Sequence, residues 1–115
     1  MKLSQKLTEE LIQPYFSRWE HLNHVIADLH KKREKGSQKY MEQGIALYRE
    51  LLSHCSVEDM EKPVMPLNGE ERLLFIEQRP GSFAAYRQLD ELFREMKKII
   101  AARRIQSKRQ KNPRE

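Results

Sequence analysis

The chain has 115 residues, of which 38% are hydrophobic and 34% charged, with a formal net charge of +5. This length allows one small domain with a modest core and is too short for the larger α/β enzyme folds. Residues 94–115 hold nine basic and two acidic side chains, whereas residues 1–93 hold thirteen basic and fifteen acidic ones. We therefore expect a slightly acidic body with a strongly basic C-terminal end.

The first part of the chain has the apolar spacing of helices. Leu3, Leu7 and Leu11 follow four-residue steps and predict a short amphipathic segment that ends at Pro14, although this proline also suits the first turn of the next helix. A broad apolar stripe follows at three- and four-residue steps: Phe16, Trp19, Leu22, Ile26 and Leu29. Residues 31–35, of which four are basic, suit the negative end of the helix dipole, and Gly36 is the predicted stop.

A second long helix is predicted after Ser37, which is the expected cap. Its apolar stripe comprises Met41, Ile45, Tyr48, Leu52 and Cys55. Gly44 lies within this helix, where the missing side chain would allow a close crossing between helices. The spacing breaks between residues 56 and 67, where two prolines favour extended chain.

Two more helices are predicted in the remaining sequence. Asn68 is the expected cap of a short helix, with Glu71 reaching back to it. Residues 79–82, with the sequence Arg-Pro-Gly-Ser, predict a tight turn in which Ser82 caps the last helix. The stripe of the last helix comprises Tyr86, Leu89, Phe93, Met96 and Ile100. Its next positions are polar, so packing against the body should end near Ile100.

No strand-like alternation interrupts these helical patterns. The sequence therefore predicts an all-α fold, a single small bundle of four to five helices with a basic C-terminal helix extension. We expect residues 1–102 to form the bundle domain and residues 103–115 to form a frayed or disordered basic extension. The aromatic side chains at helical spacing, among them Phe75, are expected in the core.

Several features indicate a cytoplasmic protein. The N-terminal residues lack the apolar stretch of a secretory signal, and no apolar run approaches the ~20 residues that span a bilayer. The single cysteine, Cys55, lies on a core stripe and fits a reducing compartment.

The sequence offers no constellation for catalysis, metal or cofactor binding. His21 and His24 have a ligand spacing, but they lie away from the apolar stripe with no carboxylate to complete a site. His54 and Cys55 are adjacent, so their side chains point about 100° apart on a helix and cannot easily act as base and nucleophile. We expect a protein that is not an enzyme.

The basic C-terminal end is the most conspicuous feature, and it admits more than one interpretation. It can solubilise the protein, lie on an anionic membrane surface or neutralise nucleic-acid phosphates with little sequence preference. The residues that would contact a nucleic acid are Lys97, Lys98, Arg103, Arg104, Lys108, Arg109 and Lys111. The segment lacks interleaved aromatic residues, so base stacking is not expected.

A second candidate surface surrounds the predicted turn. Phe83 directly follows the Ser82 cap and lies beside Arg79 and Pro80, where a turn would present an aromatic ring to a partner. We therefore expect an unidentified protein partner, with nonspecific DNA or RNA binding through the basic end as the alternative. The stripe of the last helix also allows self-association, so the oligomeric state stays open.

The second half also carries a family resemblance. Residues 66–76, followed by Arg79-Pro80 and by residues 82–93, resemble the YpoC-like family of small Bacillus-type proteins. The resemblance covers about a quarter of the chain. It implies a bacterial, cytoplasmic, helical protein and carries over no activity, catalytic residue or binding residue.

Overall fold

The computed structural model describes residues 3–56 and 62–111, with the side chains of Ser4 and residues 107–111 excepted. This part of the chain contains five helices and no strand, which confirms the all-α prediction. The helices are α1 (Leu3–Lys6), α2 (Glu9–Lys31), α3 (Ser37–His54), α4 (Gly69–Gln78) and α5 (Phe83–Lys111). Among the described residues, no helix is long and apolar enough to cross a membrane.

The core lies where α2, α3 and α5 pack side by side. The ring of Phe93 on α5 stacks on Trp19 of α2, with ring centroids 4.6 Å apart, and meets Tyr48 of α3 edge-on at 5.4 Å. Helix α2 runs antiparallel to α5, because its residues near position 9 contact residue 104 and His30 contacts Phe83. These three helices form the bundle, and the buried aromatic rings fix how they face one another.

Gly44 permits the close packing at the centre of the bundle. A Cβ atom at this position would lie 2.7 Å from Cζ3 of Trp19 and 3.1 Å from Cδ2 of Leu89. Trp19 is buried and stacked on Phe93, so its ring has little room to move. The predicted close crossing at Gly44 is confirmed.

The break between α1 and α2 lies earlier than the sequence suggests. Helix α2 begins at Glu9, and Pro14 lies inside it rather than at its boundary. Leu7 is fully buried between the two helices. The break therefore occurs at Leu7 and Thr8, and the helix accommodates the single backbone bond that Pro14 cannot make.

The end of α2 also differs from the prediction. The residue that takes the left-handed conformation is Arg33, with φ of 56°, and the amide of Glu34 donates to the carbonyl of Leu29. Gly36, also at positive φ, instead precedes α3 as its N-cap. Ser37 is buried, and its hydroxyl donates to the carbonyl of Gly81 rather than capping a helix.

Of the two side-chain caps predicted at the starts of α4 and α5, the structure contains one. Helix α4 begins directly after Asn68, but Asn68 has a left-handed backbone and its side chain makes no capping bond. An N-cap side chain usually reaches the helix from an extended backbone, so the predicted capping box is wrong. At α5 the Ser82 hydroxyl accepts from the amide of Ala85 at 3.1 Å, which confirms this cap.

Arg72 fastens α4 to α5. Its guanidinium donates to both carboxylate oxygens of Glu95, at 2.8 and 2.6 Å, and to the side-chain oxygen of Gln88 at 2.8 Å. The Arg72 guanidinium also lowers the pKa of the Glu95 carboxyl.

The opposite face of α4 is exposed at Leu74 and Phe75, so the expectation that Phe75 belongs to the core is wrong.

Helix α5 crosses the predicted domain boundary without a break and continues to Lys111. Ile100 is buried, as expected for the last packed position of the stripe, but the next two arginines still contact the body. Arg103 donates to the carbonyl of Lys62 at 2.7 Å, and Arg104 donates to that of Leu7. Helix α5 thus includes residues 103–111, while the division into a bundle domain and a frayed extension stays a prediction.

Candidate interaction surface

The surface around Phe83 begins with the tight turn between α4 and α5. The amide of Ser82 donates to the carbonyl of Arg79 at 3.0 Å, and the hydroxyl of Ser82 donates to the same carbonyl at 2.8 Å. This turn leaves Arg79 exposed and Pro80 partly exposed at the entry to α5. Phe83, the first residue of α5, is 53% exposed, which is high for a ring of this size.

Two rings from the bundle support Phe83 from beneath. His30 of α2 meets Phe83 edge-on at 5.4 Å between ring centroids and lies stacked against Tyr86 at 5.6 Å. The guanidinium of Arg87 lies over the Phe83 ring, 5.9 Å from its centroid. Phe83 is therefore held in place on one side and open to solvent on the other.

A polar network under this aromatic cluster fixes α2 against α5. The Asp90 carboxylate accepts from the Trp19 indole and from the Asn23 amide, each at 3.1 Å, and from Arg94 at 3.0 Å. The hydroxyl of Tyr86 donates to the side-chain oxygen of Asn23. Burial and then the Asp90 charge raise the pKa of Tyr86, which keeps its hydroxyl protonated as a donor.

The loop between α2 and α3 is held against the same turn at both of its ends. At one end His30 contacts Phe83, and at the other the hydroxyl of Ser37 donates to the carbonyl of Gly81 at 3.2 Å. Residues 31–36 must therefore lie beside the turn and the first residues of α5. All six of these loop residues are exposed.

This arrangement gathers basic side chains that are far apart in the sequence. We call the following exposed residues the Phe83 surface: Lys31, Arg33, Lys35, Arg79, Phe83 and Arg87. Within the described residues, none of its five cations forms an ion pair, whereas the neighbouring Lys32 pairs with Asp28 at 3.1 Å. Glu34 and Glu91 are the nearby carboxylates that balance part of this charge.

The predicted nucleic-acid contacts lie at the other end of α5. Lys97 and Lys98 are exposed, and the Lys97 ammonium lies over the ring of Phe16 at 5.9 Å. Arg103 and Arg104 are partly buried and bond to backbone carbonyls of the body. The side chains of Lys108, Arg109 and Lys111 lie outside the described residues. The structure thus brings Arg79, Pro80 and Phe83 together and separates them from the basic end.

Cys55 and two of the histidines lie where the sequence predicts, whereas His30 and His54 are partly buried rather than on the surface. His21 and His24 are exposed, and no group of three metal-binding side chains occurs in the described part of the chain. The Nε2 atom of His54 lies 2.7 Å from the carbonyl oxygen of Lys6, which ties α1 to the end of α3. Cys55 is fully buried, and burial raises the pKa of its thiol to about 11, which disfavours the reactive thiolate.

Sequence reasoning missed most of the Phe83 surface. Residues 31–35 have a sufficient explanation as a basic helix end, and nothing in their spacing relates them to a turn that follows more than forty residues later. Arg87 lacks a local signal as well, because it is one of many charged residues on a helix. Only the pairing of α2 with α5 brings these residues together.

The fold and this surface define a small helical-bundle protein with an exposed aromatic ring near cations that form no ion pair with a described residue. The model of one family, described as YpoC-like protein, matches residues 9–108. The chain therefore belongs to the YpoC-like family, and the match extends the resemblance of residues 66–93 to most of the sequence. Comparison with curated proteins and with solved structures gives no significant match.

Proposed function

We propose that this protein is a non-enzymatic helical interaction module that binds a protein partner in the cytoplasm through the Phe83 surface. The observation that carries the proposal is the 53% exposure of Phe83 on a support of two partly buried rings, His30 and Tyr86. Aromatic residues and arginine dominate the binding energy of protein interfaces. A rigidly held ring loses little conformational entropy on binding, which favours this role over a solvated surface.

The geometry beneath Phe83 supports the same proposal. Asp90 accepts from three donors, and the Ser82 cap fixes the first turn of α5. The ring is therefore presented by two packed helices rather than by a free loop. Preorganisation of this kind lowers the cost of association, so a modest surface can still bind selectively.

Affinity capture with the full chain tests the proposal. Tagged wild-type protein is incubated with a native bacterial extract beside Phe83→Ala and the control Leu67→Ala, which truncates another exposed apolar side chain (81% exposed). We expect a stoichiometric partner that wild type and Leu67→Ala retain and Phe83→Ala loses. Equal capture by all three proteins, or no stoichiometric partner, would contradict the proposal.

Nonspecific nucleic-acid binding through the C-terminal end of α5 is the second candidate. It is favoured by the continuity of α5 to Lys111 and by the exposure of Lys97 and Lys98. A protein that binds phosphates in this way loses affinity with salt, at a log-log slope of about −0.9 for each contact on duplex DNA. Fluorescence anisotropy with labelled DNA and RNA measures this slope.

The matched control for this candidate is a chain that ends after Gln106. It removes Lys108, Arg109 and Lys111 but keeps the contacts of Arg103 and Arg104 with the body. If α5 binds nucleic acid through its end, this chain should bind more weakly and with a shallower salt slope than wild type. Equal binding by the two chains would remove this candidate.

A further inference from the structure

We infer that the partner contacts the Phe83 surface with an acidic peptide segment, whose carboxylates face the cations while an apolar side chain packs on the open side of Phe83. This inference rests on the proposed function and specifies the chemistry of the partner. The charge distribution of the sequence does not suggest it, because residues 1–93 taken together are slightly acidic.

Charge complementarity is the first argument. Lys31 and Arg87 line a cavity with Phe83, and Arg79 precedes Phe83 by four residues in the chain. Within the described residues, none of these three cations forms an ion pair. The partly buried carboxylate of Asp90 already accepts from three donors. The surface therefore presents an excess of positive charge that its own acidic residues leave unneutralised, which attracts a negatively charged partner.

The arrangement of the rings favours a peptide over a single-stranded nucleic acid. Bases stack on exposed aromatic faces, and a strand needs several such rings along a basic path. Here Arg87 lies over the ring of Phe83, while His30 and Tyr86 stack against each other and are only partly exposed. Lys31 of α2 and Arg87 of α5 line one cavity with Phe83, so these cations lie beside a single exposed ring.

The backbone of Arg33 provides an independent argument. Its left-handed conformation ends α2 at a position where glycine is the usual residue. A residue with a Cβ atom costs roughly 1 to 2 kcal/mol there relative to its preferred backbone region. The protein thus keeps a cationic residue in the loop that is tied to the Phe83 turn, at the expense of stability, as expected where the charge serves binding.

Fluorescence anisotropy with synthetic peptides tests this inference on the full chain. The probe is a labelled glutamate-rich peptide that carries leucine and phenylalanine at helical spacing. Its controls are the same peptide with glutamine or lysine in place of each glutamate, and labelled oligouridine. The protein variants are Phe83→Ala and Arg87→Glu, with Lys98→Glu as a charge reversal at the opposite end of α5, and circular dichroism verifies that each is folded.

We expect the glutamate peptide to bind wild type more tightly than either control peptide, with an affinity that falls as salt rises. Phe83→Ala and Arg87→Glu should each weaken binding by about tenfold, and Lys98→Glu by less than about twofold. Equal binding of the glutamine peptide, equal loss with Lys98→Glu, or no peptide binding would overturn the inference. Tighter binding of oligouridine that depends on Phe83 and Arg87 would overturn it in favour of a nucleic acid.

Affinity capture separates this inference from the proposed function. A partner from the extract that is lost with Phe83→Ala but fully retained with Arg87→Glu would overturn the acidic peptide and leave the interaction module intact. Loss of that partner with both variants, and its elution by moderate salt, is the outcome that supports both. Capture that does not depend on Phe83 would contradict both.

Discussion

The interface between α2 and α5 has basic side chains at both of its ends, yet the cations at the two ends differ in what they contact. At the end formed by the start of α2 and the last turns of α5, Arg104 donates to the carbonyl of Leu7 and lies 3.4 Å from the Glu9 carboxylate. At the end that carries Phe83, Lys31 and Arg87 are exposed and form no ion pair with any described residue. One end uses its described arginines for packing, and the other leaves its cations accessible.

This difference shows why a count of charges along the sequence is a poor guide to a binding surface. The local excess of residues 94–115 is the larger one, but two of its arginines satisfy backbone carbonyls of the body. The exposed cations of the Phe83 surface belong to a part of the sequence that is acidic on average. We therefore expect substitutions of the packed arginines to lower stability, and substitutions at the Phe83 surface to weaken binding with little change in stability.

Gly44→Ala should have the largest effect on stability. Because Gly44 lies at the centre of the bundle, this effect should not be confined to either end of the interface between α2 and α5. Alanine gains roughly 1 kcal/mol of helix propensity, but its Cβ would meet the Trp19 ring at 2.7 Å. We expect a net loss of about 2 kcal/mol in the free energy of unfolding, measured by urea denaturation.

Gly69→Ala is the matched control for this variant. A Cβ atom there would lie 3.2 Å from the end of the flexible Met65 side chain, which can move away. We expect a change within about 0.5 kcal/mol. If Gly44→Ala were as mild as Gly69→Ala, the Trp19 contact would not limit the packing of the bundle.

Arg104→Gln tests the structural role of the cations at the α5 end. The substitution removes a charged hydrogen bond to the carbonyl of the buried Leu7 and should lower the free energy of unfolding by about 1 kcal/mol. Arg87→Gln, at the Phe83 surface, should change it by less than about 0.5 kcal/mol. Thermal denaturation measures the stability of both variants. Equal losses of stability would contradict the different roles of Arg104 and Arg87.

The pH dependence of stability should differ between the paired Glu95 and an unpaired carboxylate. Arg72 lowers the folded-state pKa of Glu95, so this pair stabilises the protein above the ordinary glutamate pKa of about 4.3. That contribution is lost as the pH falls through the lowered pKa of the folded state. The stability gap between wild type and Glu95→Gln should therefore be widest near neutral pH and narrow in acid.

Denaturation at a series of pH values measures this gap, with Glu91→Gln as the control. Glu91 is exposed and forms no ion pair among the described residues. The control should therefore show a smaller gap at neutral pH than Glu95→Gln. A gap for Glu95→Gln that widened in acid would contradict the stabilising role of the Arg72 pair.

Arg33→Gly should have the smallest effect on stability and the opposite sign. Glycine adopts the left-handed conformation without the cost of a Cβ atom, but it gains conformational entropy in the unfolded chain. We expect a net stabilisation of about 0.5 kcal/mol together with weaker binding of the glutamate peptide. Lys35→Gly, at a residue without positive φ, should instead lower stability, and the reverse ranking would contradict the strain at Arg33.

Much of the helical architecture could be predicted because it depends on local patterns. The stripes of α3 and α5, the Ser82 cap and the close approach at Gly44 all follow from spacing or from the properties of single residue types. Predictions that depended on which residue ends a helix were less reliable. Pro14 and Gly36 gave plausible boundaries, but the chain breaks at Leu7 and Thr8, directly before the acidic first turn of α2, and turns at Arg33.

The candidate site could be predicted only in part. Phe83, Arg79 and Pro80 form a local turn whose sequence indicates exposure, so they were accessible to sequence reasoning. Lys31, Arg33 and Lys35 were not, because their place beside Phe83 depends on the contacts of His30 with Phe83 and of Ser37 with Gly81. Such long-range contacts leave no periodic trace in a single sequence.

The sequence by itself determined that this protein is helical, that it has one small core and that its C-terminal residues are strongly basic. These properties follow from composition and from apolar spacing, which act within a few turns of helix. The tertiary structure alone decided which cations serve packing and which remain exposed around Phe83. Whether a charge is neutralised depends on what lies beside it in space, and the antiparallel packing of α2 on α5 sets those neighbours.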